Sequence, residues 1–337
     1  MKYLNAVLVP SGFEVGEVSR RRFLQSVLAG GAYAGLANLT CALADEGAAG
    51  GVATSSPMAS GRPSTIAQGA AMLRAAHQLL DEPRILDDPL ALHIVGTASW
   101  TQLLSAPERF QGNPYLRAFI ALRSRYAEDE LAQAVRRGVR QYVILGAGLD
   151  TFPYRNAHER SGLRVFEVDH PATQSWKRQR LTEAGIANPG SLTFAPVNFE
   201  TQTLADGLRL AGFNAGEPAY FSLLGVVIYL TQPAVMETLK FIVSLQAGSE
   251  IVFDYSVPSS FLSYSERLAR EYAASRVAAR GEPWITYFDP FVLKRQLGQI
   301  GFSYVEDLGS QEANDRYFRN RPDSLRIGSG RLMRARV

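Results

Sequence analysis

From residue 141 onward, short apolar runs recur along the chain, and stretches with helical patterning separate most of them. The runs are rich in β-branched and aromatic residues and occupy residues 141–145, 164–168, 192–197, 219–223 and 250–255. Continuous apolar runs of this length are typical of strands buried on both faces, as in a parallel sheet. Helix-like stretches lie at 171–184, 233–244 and 262–280. This alternation predicts βαβ units and a doubly wound α/β fold.

The segments on either side of this alternation differ from it. Before it, helical spacing predicts a helix from Ser64 to Pro83, a short helix after the D-D-P sequence at 87–89, and a helix over about 115–137. After it, we expect a helix from 290 to about 301 and two closing strands, 302–307 and 325–334, paired as a hairpin. The spaced arginines of 316–334 predict a solvated face.

Residues 1–60 are not expected to be part of the folded domain. Residues 19–25 read S-R-R-R-F-L-Q, a weakly apolar Gly- and Ala-rich stretch follows, and A-L-A closes it at 42–44. This pattern resembles a twin-arginine signal peptide, which predicts export, followed by a flexible linker over 45–61. The stretch is too polar for a stable membrane span, so we expect none after signal removal. If the signal is not used, the protein is cytoplasmic.

Charge and cysteine content exclude several kinds of site. The net charge is +3, but residues 1–44 hold four basic and two acidic residues, so +1 remains for residues 45–337. A body with so little excess charge is not expected to bind nucleic acid. The single cysteine, Cys41, lies in the leader, so the body has no disulfide, thiolate nucleophile or cysteine-ligated metal site. The four histidines show no metal spacing.

A glycine turn follows the first strand and reads L-G-A-G-L-D-T at 145–151. Glycine at this place lets the backbone approach a ligand at the carboxyl edge of the sheet. Thr151 replaces the third glycine of a dinucleotide motif, and Asp150 would repel a pyrophosphate. The turn therefore favours a phosphate-free, cationic nucleoside such as S-adenosylmethionine over a nicotinamide cofactor. A tight turn without a ligand is the alternative.

The second strand ends in F-E-V-D-H-P at 166–171. Asp169 lies 21 residues after Gly148, at the strand tip, where a carboxylate can accept both ribose hydroxyls. Glu167 shares its strand face because side chains alternate with a period of two. We assign the ribose to Asp169, which is nearer the tip, and a structural role to Glu167.

Motifs in this order resemble the leucine carboxyl methyltransferase family, and most of all its bacterial branch of S-adenosylmethionine-dependent methyltransferases. The resemblance runs from about residue 64 to 334. It is carried by S-T-I-A at 64–67, D-D-P-L-A at 87–91, the glycine turn with Arg155, F-E-V-D-H-P at 166–171, G-V-V-I-Y-L-T at 225–231 and G-E-P-W at 281–284.

The resemblance implies a class I methyltransferase domain over 62–337, with a helical cap at 62–137 and a Rossmann-like core of seven strands, the last antiparallel, at 138–337. In the family an arginine before the glycine turn pairs with the methionine carboxylate; Arg123 matches best, with Arg125 its neighbour. The glycines hold the methionine part, and an acid-plus-apolar pair after the third strand holds the adenine. The residues implied for the cofactor are Arg123, Gly146, Ala147, Gly148, Asp150, Asp169, Asn198 and Phe199.

Two positions depart from the family pattern. Asn198 stands where the adenine-binding acid is usual, and Leu224 stands where a glutamate usually precedes G-V-x-x-Y-L. An amide oxygen can still accept from adenine, without charge assistance. These departures leave open a protein that binds S-adenosylmethionine but has lost turnover.

The predicted reaction is O-methylation of a carboxylate or hydroxyl on a small-molecule acceptor. Methyl transfer needs the reactants to be positioned and water to be excluded, and a carboxylate acceptor needs no general base. We therefore assign no catalytic residue and no metal site. Tyr229, Tyr255 and Trp284 are the candidates for the acceptor pocket.

Overall fold

The computed structural model describes residues 65–107, 113–199, 201–279 and 281–337. The predicted signal peptide and linker lie outside these residues. The helices are α1 (Thr65–Leu80), α2 (Ala91–Ile94), α3 (Thr97–Ser105), α4 (Pro114–Arg136), α5 (Pro171–Glu183), α6 (Leu204–Leu210), α7 (Gln232–Val243), α8 (Tyr264–Ala278), α9 (Pro290–Ile300) and α10 (Ser310–Tyr317). The strands are β1 (Gln141–Leu145), β2 (Arg164–Asp169), β3 (Leu192–Pro196), β4 (Ala219–Leu223), β5 (Glu250–Tyr255), β6 (Tyr304–Leu308) and β7 (Arg331–Arg336).

The strands form one seven-stranded sheet in the order β3-β2-β1-β4-β5-β7-β6. The five strands from β3 to β5 are parallel, and β7 is antiparallel to both of its neighbours. The predicted α/β fold with a seven-stranded sheet is confirmed. The chain winds outward from β1 in both directions, so the carboxyl ends of β1 and β4 flank the crevice at which such sheets bind ligands.

The central strands are buried on both faces. Along β1, Val143 and Leu145 pack into one hydrophobic core, whereas Tyr142 and Ile144 pack into a second core on the other face. Side chains of a strand alternate between faces, so a continuous apolar run fills both cores.

Within the predicted cap, α4 packs against one face of the sheet, and α1 lies against the glycine turn at the carboxyl end of β1. Helices α1 and α4 contact each other, and a buried ion pair supports their contact: Arg117 of α4 donates two hydrogen bonds to Asp81, with distances of 2.7 and 2.6 Å. Asp81 also contacts His77 Nδ1 at 2.8 Å, while His77 Nε2 accepts from the N–H of Ile85 at 3.0 Å. Burial alone would raise the pKa of Asp81, but Arg117 and His77 hold it below its usual value.

Helix ends follow sequence signals. Asn113 caps α4 by accepting from the N–H of Leu116, with Pro114 in the first turn. Asp289 caps α9 in the same way ahead of Pro290. A side-chain oxygen at the N-cap satisfies an otherwise unpaired backbone N–H, and proline in the first turn has no N–H to lose.

The C-terminal prediction was wrong in two respects. The closing strands pair antiparallel, but α10 intervenes between them and residues 325–330 are not a strand, so they do not form a simple hairpin. The arginines of this stretch are not all solvated: Arg334 is nearly buried and pairs with Glu130 at 2.6 Å and with Glu250. The acidic residues close to Arg334 in the sequence did not indicate its actual partners, which lie far away along the chain on α4 and β5.

Among the residues that the structure describes, no helix is both long enough and apolar enough to cross a membrane.

Candidate functional site

A cleft of about 370 Å³ lies at the carboxyl ends of β1, β2 and β4, beneath α1. We call it the main cleft. The predicted cofactor residues in its wall are Arg123, Gly146, Ala147, Gly148, Asp150 and Asp169. The cleft is also lined by residues to which the sequence motifs gave no ligand-binding role, among them Ile66, Ala67, Arg74, Thr173, Leu224 and Glu282.

The glycine turn forms the floor of the main cleft. Gly146 has φ +68° and Gly148 has φ +47°, a region that side chains disfavour. A Cβ on Gly146 would lie 2.4 Å from Val226 Cγ2, and one on Gly148 would lie 3.1 Å from Ala67 Cβ. Both positions therefore require glycine for conformation and for space, and both leave backbone at the surface of the cleft.

Asp169 lies in the wall of the cleft beside the turn. Its Oδ2 accepts from the N–H of Gly148 at 2.6 Å, and its Oδ1 accepts from its neighbour, the N–H of His170, at 2.7 Å. Burial raises the pKa of Asp169, and these two backbone donors offset that rise only in part. Each carboxylate oxygen has a second lone pair, so the group can still accept hydrogen bonds from a ribose.

Glu167 is separated from the cleft. It is fully buried and contacts Lys177 Nζ at 2.5 Å, beneath α5. Burial raises the pKa of Glu167 to about 7, and Lys177 limits the rise. The structural role expected for Glu167 agrees with this position.

Asp150 has a local role as well as a place in the cleft wall. Its Oδ1 accepts from the N–H of Phe152 at 2.7 Å, at the start of a short 3₁₀ helix. Three carboxylates, Asp150, Asp169 and Glu282, line the cleft against two arginines, and each arginine is already paired with an aspartate outside this set. The wall therefore carries an excess of negative charge that would repel a pyrophosphate. The electrostatics favour a phosphate-free ligand.

Asp88 ties the cap to the glycine turn, a role that the sequence did not reveal. It is fully buried, and its Oδ2 accepts from Arg74 Nε at 2.8 Å and from Thr151 Oγ1 at 2.6 Å. Arg155 Nε lies 3.5 Å from Oδ1. Arg74 in turn donates from Nη2 to the carbonyl of Leu149 at 2.5 Å. Asp88 therefore fixes Arg74 in the cleft wall and anchors the end of the turn.

Arg123 stands between the main cleft and a second space. Its Nη1 lies 3.3 Å from Asp254 Oδ2, and Asp254 Oδ1 accepts from the N–H of Gly225 at 2.5 Å. A Cβ on Gly225 would come within 2.7 Å of the Arg123 guanidinium, so glycine permits this close approach. Arg125 instead pairs with Asp129 on the helix surface.

The second space is a cavity of about 80 Å³, which we call the smaller cavity. Tyr229, Tyr255 and Trp284, the predicted acceptor-pocket residues, all line it. Trp284 Nε1 donates to the Tyr229 hydroxyl at 3.0 Å. The Tyr255 hydroxyl donates to Asp307 at 2.9 Å, which leaves its ring as the part available to the cavity. Burial raises the pKa of Tyr229 and of Tyr255, so both are neutral at physiological pH.

A strap, residues 281–289, crosses the two spaces. It is held by backbone hydrogen bonds from Ile285 to Ile228 and from Phe288 to Ser256, each 2.9 Å. The strap carries Trp284 into the smaller cavity and Glu282 into the main cleft.

Asn198 and Phe199 follow β3 at the same edge of the sheet as Asp169. The N–H of the preceding Val197 donates to the Asp169 carbonyl at 2.9 Å, but neither residue of the pair is part of the cleft wall. The Phe199 side chain is 58% exposed. Their assignment to adenine stays a prediction.

The cleft suits the cofactor implied by the motifs. The glycines clear a space that a Cβ would fill, and the Thr173 hydroxyl in the wall is buried without a hydrogen-bond partner among the described residues. Buried polar atoms are normally paired, so this hydroxyl is a candidate ligand contact.

Similarity to known proteins identifies the family of this chain. The family model described as "Leucine carboxyl methyltransferase" matches residues 67–243. A Bacillus subtilis protein named "Putative S-adenosyl-L-methionine-dependent methyltransferase YktD" is 33% identical over 278 residues, 76% of this chain and 91% of that protein. A Mycobacterium bovis protein of the same description is 32% identical over 62% of this chain and 68% of its own. A solved structure from Thermobifida fusca, described as a "putative methyltransferase", covers 83% of this chain and 96% of its own at 17% identity, with a TM-score of 0.48. The chain belongs to the leucine carboxyl methyltransferase family.

Proposed function

We propose that this S-adenosyl-L-methionine-dependent methyltransferase transfers a methyl group to an oxygen, as a carboxylate or a hydroxyl, on a small molecule held in the smaller cavity. The observation that carries the proposal is the adjacency of two spaces. The main cleft has a glycine floor and an acid at the ribose position, and the smaller cavity is mostly apolar. Arg123, Gly225 and Tyr229 line both spaces, so ligands in the two would meet there.

Different residues hold different parts of S-adenosyl-L-methionine. The backbone at Gly146 and Gly148 lies against the methionine part, and Asp169 accepts from the ribose hydroxyls. Arg123 pairs with the carboxylate by charge-assisted hydrogen bonds. Asn198 and Phe199, at the carboxyl end of β3, bind the adenine.

The bound cofactor supplies a methyl carbon that its sulfonium has already activated. The chain itself contributes orientation and exclusion of water. Residues of α1 and α4 and Trp284 of the strap line the smaller cavity. A closed apolar site lowers the local dielectric and so strengthens attraction between an electron-rich oxygen and a cationic methyl donor.

Calorimetric titration tests the first half of the proposal. We expect the purified chain to bind S-adenosylhomocysteine and to gain thermal stability with it, because a ligand that binds the folded state alone stabilises it. NADH is the comparison ligand. Stabilisation by NADH and none by S-adenosylhomocysteine would contradict the assignment.

A methyl-transfer assay tests the second half. Labelled S-adenosyl-L-methionine is incubated with small aromatic and aliphatic acids, phenols and alcohols, and label is measured in the product. Binding of S-adenosylhomocysteine without labelled product from any acceptor would support the alternative, a binding protein that has lost turnover. The position of Leu224 in the cleft wall, where the family usually has a glutamate, is the observation that keeps this alternative in view.

A further inference from the structure

Among the described residues that line the smaller cavity, one carries a carboxylate, Asp254 near the end of β5. The side chain is 12% exposed, and both of its oxygens already have a partner: the N–H of Gly225 at 2.5 Å and Arg123 Nη1 at 3.3 Å. Each carboxylate oxygen can accept two hydrogen bonds. Asp254 therefore has capacity for at least one more donor from the cavity.

The rest of the cavity wall is apolar or neutral. Its large apolar side chains include Ile66, Leu116, Phe119, Ile120, Ile228 and Trp284. Arg123 and Asp254 are its only charged side chains among the lining residues, and they pair with each other. Tyr229 and Tyr255 are neutral because burial raises their pKa.

This charge balance discriminates between the two acceptor classes. A carboxylate acceptor would enter a wall whose cation is already paired, and it would lie against the Asp254 carboxylate, where like charges repel strongly in a low dielectric. A hydroxyl acceptor is neutral and can donate its proton to Asp254. The cavity thus has the partner that a hydroxyl needs and has no unpaired cation for a carboxylate.

We propose that the methyl acceptor is a hydroxyl group on a compact apolar molecule and that Asp254 accepts its proton during transfer. The inference rests on the proposed function and narrows its acceptor class. As the acceptor oxygen forms its bond to the methyl carbon, the carbon–sulfur bond breaks and its electron pair goes to sulfur. The hydroxyl proton passes to an Asp254 oxygen and later to water. The sulfonium and the carboxylate lose their opposite charges in the same step, which a closed apolar site favours.

Binding to the wild-type protein tests the proposal without a variant. Phenol and benzoate serve as size-matched probes and are titrated into the protein saturated with S-adenosylhomocysteine, with binding followed by ligand-observed NMR. We expect phenol to bind at least tenfold more tightly than benzoate. Equal binding, tighter binding of benzoate, or no binding of phenol would overturn the proposal.

The chemistry of the product gives a second readout. Labelled product from the full acceptor panel, which includes the acids as well as the phenols and alcohols, is treated with mild alkali, which releases methanol from a methyl ester and leaves a methyl ether intact. Retained label is expected. Label released as methanol, from a product of the acid panel alone, would show that the methyltransferase assignment holds but the hydroxyl inference is wrong.

Asp254→Asn tests the role of the carboxylate. Its amide oxygen can still accept from Gly225, but it cannot take a proton, so we expect kcat to fall by roughly 100-fold or more, within the range typical of general bases. The Kd for S-adenosylhomocysteine should stay within about threefold. Asp323→Asn is the control: Asp323 also pairs with an arginine, Arg321 at 2.6 Å, but it lines neither the smaller cavity nor the main cleft.

The control variant should retain wild-type turnover, whereas Asp254→Asn should not. If the two variants have the same turnover, Asp254 is not the proton acceptor. Failure of S-adenosylhomocysteine to bind the wild type would instead refute the proposed function as a whole.

Discussion

Replacing Asp88 with asparagine removes one charge from the junction between the cap and the glycine turn. The substitution nearly conserves shape, so its effect comes from hydrogen bonding and charge. Oδ2 faces two donors, Arg74 Nε and Thr151 Oγ1, and Oδ1 faces the N–H of Leu90 at 3.2 Å and the Arg155 guanidinium. Either orientation of the amide therefore directs an NH₂ group at two donors.

The expected loss follows from burial. The Asp88 side chain is fully buried, and the Arg74 side chain is only 9% exposed. The variant therefore leaves a buried guanidinium without its counter-charge. Removing one partner of a buried ion pair costs about 3–5 kcal/mol. For a domain of this size, each kcal/mol lowers Tm by about 2 °C, so the midpoint should fall by roughly 6–10 °C.

Denaturant and thermal unfolding measure this loss, with Asp87→Asn as the matched control. Asp87 is the neighbouring aspartate; its side chain is 77% exposed and pairs with Arg84 at the surface. Exposed pairs contribute little, so the control should stay within about 0.5 kcal/mol of wild type. Adding Arg74→Met to Asp88→Asn should recover part of the loss, because it removes the unpaired cation.

The reasoning is refuted if Asp88→Asn and Asp87→Asn unfold at the same midpoint. It is also refuted if Arg74→Met adds its full cost in the Asp88→Asn background, because the two side chains would then be uncoupled. The Asp88 variant should also bind S-adenosylhomocysteine more weakly, since Asp88 anchors the glycine turn through Thr151.

Three further outcomes are expected. Gly146→Ala should abolish the thermal shift with S-adenosylhomocysteine, because its Cβ would meet Val226 at 2.4 Å. Gly185→Ala is the control: with φ +66° and nothing within 4 Å of its Cβ, it bears the same backbone strain and should keep the shift. Glu167→Gln should flatten the pH dependence of stability. The pKa of Glu167 in the folded protein, about 7, lies above the ordinary 4.5, so the wild type loses stability as pH rises between these values. Parallel curves of stability against pH for the two proteins would contradict this. Residues 1–50 fused to a reporter that requires folded export should direct it out of the cytoplasm in a twin-arginine-dependent manner, and a reporter retained with or without the arginine pair would refute export.

Several features followed from local sequence. The strand runs were recognisable because a strand buried on both faces must be apolar throughout, and β1, β4 and β5 begin and end at the residues that their runs predicted. The glycine turn and Asp169 were recognisable because close backbone approach and a carboxylate at a strand tip each depend on a few adjacent residues.

The tertiary structure alone decided how distant polar and charged side chains pair. Asp88 meets Thr151 across 63 positions, and Arg123 meets Asp254 across 131. Arg334, expected to be solvated, is drawn into the interior by Glu130 and Glu250. A hydrophobic pattern is periodic and local, so sequence reveals it, whereas an ion pair depends on two side chains that only the folded chain brings within about 3 Å of each other.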